Sequence, residues 1–106
     1  MRGPARLAHR RAMNRYIIQR NVPGVGRLSA KELQKLARKS VEVLDAMDGI
    51  QWNESFVTGD KLFCVYLADS EDEIREHGRR GGFPVDGIYE VSGMFDPTTA
   101  TALVTT

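Results

Sequence analysis

A two-layer α+β domain, running strand, helix, strand, strand, helix, strand, is what this 106-residue sequence predicts. Three observations predict it. Two capping boxes, Ser29-Ala-Lys-Glu32 and Ser70-Glu71-Asp72-Glu73, each open a helical stretch. Two runs rich in aromatic and branched residues, "IQWNESFV" and "KLFCVYLA", meet at Thr58-Gly59-Asp60 and read as a hairpin. A further strand-like run lies near each end, "RYIIQR" and "DGIYEVSGMFD". Two split βαβ units of this kind give a ferredoxin-like sandwich, an antiparallel four-stranded sheet with both helices on one face.

The first strand spans Arg15 to Arg20, and Pro23, Gly24 and Gly26 then mark a loop. The GxG in that loop lacks the third glycine and the acidic residue of a dinucleotide fingerprint. Behind Ser29, the residues Leu33, Leu36, Ala37, Ser40, Leu44 and Met47 form one stripe, predicting an amphipathic helix over about 30 to 47. A two-residue turn at Gly59-Asp60 would put Trp52, Glu54, Phe56, Phe63, Val65 and Leu67 on one hairpin face. Ser55, Val57, Leu62, Cys64 and Tyr66 would take the other.

The second helix spans about 71 to 80 and the last clear strand Ile88 to Phe95. Asp96-Pro97 breaks that strand, and the residues after it make either a short edge strand or a frayed end.

Composition narrows the function. With 42% hydrophobic and 27% charged residues this is an ordinary soluble domain. No run approaches the roughly 20 apolar residues that span a membrane, so no membrane partner is expected. The single cysteine, Cys64, forbids an intrachain disulfide and fits a cytoplasmic protein. Residues 1–14 carry Arg2, Arg6, Arg10 and Arg11 without an acid, which leaves a net −3 on the other 92 residues. We read 1–14 as a disordered basic extension, with Met13 as an alternative start, and 15–106 as the domain. The mildly acidic body argues against a nucleic-acid surface.

Two features invite function. Both faces of the hairpin are apolar, although a sheet covered on one side should be polar on the other. A patch of that kind marks an interface, and two-fold pairing is the commonest way to close it. A homodimer through the sheet face is therefore expected. Within it, Glu54 sits among aromatic and aliphatic neighbours and needs a partner, with Arg20, a backbone donor or a metal as candidates.

The second feature is "EIREHGRRGGFP". Arg79 and Arg80 suit the negative end of a helix, Gly81 and Gly82 supply a left-handed cap, Phe83 its apolar contact, and Pro84 the stop. His77 is left over. Glu73 lies four residues before it on the same helix face, and imidazole with carboxylate can hold a borderline divalent cation. That is a half-site, which Glu76 or residues of a dimer mate would have to complete. A helix salt pair is the plain alternative.

The blocks "YIIQRNVPGVGRLSAKELQ", "WNESFVTGDKLFCVYLA", "IREHGRRGGFP" and "VSGMFDPTTA" resemble a family of small bacterial nickel-binding proteins. The resemblance covers about residues 15–100 and implies a ferredoxin-like fold, a homodimer, and nickel bound for sequestration. It implies metal-site roles for His77, Glu73 and Glu76, and weaker ones for Glu54, Cys64 and Tyr66. It carries no catalytic residues and no enzyme activity.

Two rival functions remain on sequence grounds. One is a dimeric barrel that binds or transforms a small organic molecule near Glu54 and Tyr66, with Trp52, Phe56 and Cys64 as further pocket or interface residues. The other is a ligand-free structural or regulatory module.

Overall fold

The structure, a computed structural model, describes residues 13–104. The basic extension expected over 1–14 lies almost wholly outside these residues. Strand β1 (Asn14–Asn21) leads through a short 3-10 turn (Val25–Arg27) to helix α1 (Ala30–Asp45). Strands β2 (Ile50–Val57) and β3 (Lys61–Ala68) form the hairpin, followed by helix α2 (Glu71–Gly81) and strand β4 (Gly87–Glu90). The sheet order is β2-β3-β1-β4, and all three neighbouring pairs are antiparallel. This is the ferredoxin-like sandwich expected from the sequence.

Local chemistry explains most element ends. The Ser29 Oγ accepts from the Glu32 amide at 3.1 Å, and the Glu32 carboxylate accepts from the Ser29 amide at 2.9 Å. Ser70 makes no such side-chain cap. There the three acids Glu71, Asp72 and Glu73 in the first turn meet the positive end of the helix. Helix α2 stops at Gly82, whose φ of 71° is left-handed, while the amides of Gly82 and Phe83 both donate to the Gly78 carbonyl.

Besides the Ser70 capping box, two expectations about the strands are corrected. Strand β4 ends at Glu90 rather than Phe95, because β1 offers it only Tyr16 to Gln19 as partners. After one more ladder bond, from the Val91 amide to the Arg15 carbonyl at 2.8 Å, the chain has no strand beside it. Residues beyond Asp96-Pro97 form a 3-10 turn, Pro97–Thr101, capped by the Asp96 side chain, and not an edge strand. The second correction is the bulge at Asn53. It shifts the register between Trp52 and Glu54, so Trp52 pairs with Tyr66 while Glu54 pairs with Val65. Trp52 therefore faces the helices, not the open side with Glu54 and Phe56.

The core lies between sheet and helices. Tyr16, Ile18, Cys64, Tyr66, Ala68 and Ile74 are buried there, and burying each of the two isoleucines contributes about 1.5–3 kcal/mol. Gly78 is required by this packing. A Cβ at that position would stand 2.8 Å from the Val85 side chain and 3.0 Å from the Phe83 carbonyl. Close approach of the loop leading into β4 thus offsets the weak helix propensity of glycine.

Nothing among the described residues covers the opposite face of the sheet. Ile17, Phe56, Phe63, Val65, Leu67 and Tyr89 share it by register, with Phe56 54% and Tyr89 55% exposed. No helix among the described residues is long and apolar enough to cross a membrane.

Candidate functional site

Four polar side chains gather on the covered face, each from a different element. Arg20 follows Ile18 by two residues on β1 and so points to the same side. Tyr66 comes from β3, Ser40 from the middle of α1, and His77 from α2. All four are buried, His77 to 1% exposure and Arg20 to 3%. His77 Nε2 and Ser40 Oγ share a hydrogen bond of 3.2 Å, while His77 Nδ1 has no partner. The imidazole lies between the rings of Tyr66 and Phe83, at centroid distances of 5.4 and 5.2 Å.

The electrostatics of this cluster are set by burial and by one cation. Burial lowers the His77 pKa to about 4, the Arg20 charge pushes the same way, and Ser40 opposes weakly. The ring is neutral at pH 7. Burial also raises the Tyr66 pKa, against the pull of Arg20, so its hydroxyl keeps its proton. Arg20 Nη1 donates to the Pro84 carbonyl at 2.7 Å, but Nη2 is buried without a partner.

The residues singled out in the sequence fall into three places. His77 is inside. Glu76, three-tenths exposed, accepts from Arg79 Nη2 and Nε at 2.6 and 2.9 Å and from Arg80 Nε at 2.6 Å. These bonds hold its pKa down to about 2 and also engage both arginines. Glu73 sits at the helix start, its carboxylate beside Gly49 together with that of Asp69. No three histidine, cysteine or acidic side chains converge as a metal cage among the described residues. Nor can a sheet-face partner complete the His77 half-site, because α2 and the open face lie on opposite sides of the sheet. The donor set therefore does not fit a preformed nickel site.

Glu54 and Tyr66 are likewise separated, on opposite faces of the sheet. Glu54 is exposed on the open side, in the row Glu54, Val65, Ile17 and Tyr89. Arg20 faces the other way and is not its partner. Phe56 shares the open face, whereas Cys64, a free thiol, and Trp52 share the covered one with Tyr66. Sequence reasoning missed Arg20 as a site residue in its own right. Its signal was present: in Tyr16, Ile18, Arg20 the strand alternation puts the arginine on the buried side.

A family model described as "Nickel responsive protein SCO4226-like" matches residues 16–91. The chain belongs to this family. The crystal structure of SCO4226 from Streptomyces coelicolor A3(2) superposes on it with a TM-score of 0.65 at 13% identity. The match covers 76% of this chain and 99% of that one, and it supports the shared fold. No curated protein matches the chain.

Proposed function

We propose that this protein acts in the response of the cell to nickel as a cytoplasmic homodimer joined through its open sheet face. The observation that carries the reading is the apolar patch of Ile17, Phe56, Phe63, Val65, Leu67 and Tyr89 on the uncovered side. A lone antiparallel sheet is expected to be polar on its solvated face, and here these six apolar side chains share that face with Arg15, Gln19, Gln51 and Glu54. The nickel half of the proposal comes from the family to which the chain belongs. The reduced, buried Cys64 fits the cytoplasmic setting.

The geometry adds a condition on the metal. His77 offers the imidazole that suits nickel, but its ring is closed off and Glu76 is engaged by two arginines. Nickel capture by His77, Glu73 and Glu76 needs α2 to open first, and a scarce competent state weakens the observed affinity in proportion to its population.

Light scattering on the eluting protein tests the pairing. Wild type should run at twice the chain mass, and Phe56→Lys, a change at an exposed position, should run as a folded monomer. A wild-type monomer at micromolar concentration overturns the dimer. Calorimetric titration with Ni²⁺ tests the metal. Binding that His77→Ala weakens at least ten-fold supports the His77 ligand set, and unchanged binding removes it.

A further inference from the structure

Helix α1 carries the best apolar stripe in the sequence, yet of its residues only Ser40 is fully buried. Its Leu33, Leu36 and Ala37 do not close onto the sheet. With Trp52 and Leu62 of the hairpin they wall a cavity of about 270 Å³ between helix and sheet. Ligand pockets have this make-up, mostly apolar walls with a few placed polar groups, and begin at about 300 Å³.

Among the described residues one charge lines that cavity, and it is Arg20. Among the described residues the buried guanidinium donates one hydrogen bond, to the Pro84 carbonyl, and its Nη2 has no partner. The three ion pairs formed among the described residues all involve other arginines. The rings of Phe83 and Tyr66, 5.6 and 5.9 Å from its centre, offer cation–π attraction. Such contacts contribute about 2 kcal/mol when desolvated, whereas burying an ion costs several kcal/mol. No anion among the described residues pairs with this buried cation.

We propose that the cavity binds a small monocarboxylate with an apolar body. The carboxylate meets Arg20, and the body rests against Leu33, Leu36 and Trp52. The Ser40 and Tyr66 hydroxyls line the same space and supply further donors, Tyr66 as the protonated phenol. One cation in apolar surroundings selects a singly charged ligand, because a phosphate or dicarboxylate would bring uncompensated charge into it. A guanidinium is also the side chain whose planar donors match a carboxylate. The site uses neither the open sheet face nor any metal donor convergence, so it stands apart from the nickel and dimer reading.

The test uses the full chain, freed of metal by a chelator, with benzoate, phenylacetate and hexanoate as probes. Each acid is compared with its amide by melting and by calorimetry. At least one acid should raise the melting temperature saturably and bind ten-fold or more tighter than its amide. Arg20→Met should melt no lower than wild type, since an unpaired buried charge is gone, and should erase the preference for acid. Leu36→Trp, at a partly exposed helix position, should fill the cavity and weaken acid binding at least ten-fold. Binding of no probe, equal binding of acid and amide, or acid preference that survives Arg20→Met overturns the proposal. Should Arg20→Met fail to fold, the acid–amide ratio of wild type and the Leu36→Trp result decide it.

Discussion

The covered face of this sheet holds the apolar core with a small polar cluster set into it, and the open face mixes apolar with polar side chains. The covered face holds a cation, an imidazole, a phenol and a serine near its middle. The open face, which nothing among the described residues shields, is lined with Ile17, Phe56, Phe63, Val65, Leu67 and Tyr89. Polar groups under the helices suit a ligand, and apolar groups on the open side suit a second copy of the chain. The two faces thus point to two different functions within one sheet.

Neighbouring isoleucines give the sharpest contrast. Ile18→Ala should destabilise the fold by about 2–5 kcal/mol, as for other large-to-small changes in packed cores, read from the denaturant midpoint. Ile17→Ala, one residue away on the open face, should leave the fold within about 1 kcal/mol of wild type and instead weaken self-association on dilution. Similar losses of stability at both positions in a dilute monomer would erase the distinction between the faces.

A smaller effect should follow pH. The unfolded chain protonates His77 below its ordinary value near 6.5, while the folded ring stays neutral down to about 4. Between those values the unfolded state binds more protons, so stability rises with pH, by at most about 1.4 kcal/mol per unit. Replacing the histidine with a neutral amide, His77→Gln, should flatten that window in unfolding curves. An unchanged slope would place the pH dependence elsewhere.

The smallest effect is expected at Glu76. Its bonds to Arg79 and Arg80 are short but lie at the solvent boundary, where such pairs contribute little. Glu76→Gln should leave the melting temperature and the solution mass unchanged. A clear drop in either would give the triad a structural role that its exposure does not suggest.

Much of this architecture was legible in the chain. The Ser29–Glu32 box fixed the start of α1, and Gly82, Phe83 and Pro84 fixed the end of α2, because each acts through local geometry. The exposed apolar face was legible too, since alternation within β2 and β3 is a local property. What was not legible depended on partners distant in sequence. The length of β4 is set by where β1 begins to pair with it, and no feature of "EVSGMFD" records that. The Asn53 bulge adds one residue without a sequence mark, and one residue is enough to turn Trp52 through the sheet. Burial of His77 follows from the approach of α1, whose Ser40 meets it 37 positions away.

That turn of Trp52 has a practical side. It is the one tryptophan in the molecule, and its indole nitrogen donates to the Ser55 hydroxyl at 2.9 Å in the wall of the cavity. The protein thus carries a single intrinsic indole fluorophore where a guest would sit. Any shift in its emission, or any quenching, reads out the state of that chamber, without a dye and without a second indole elsewhere in the chain.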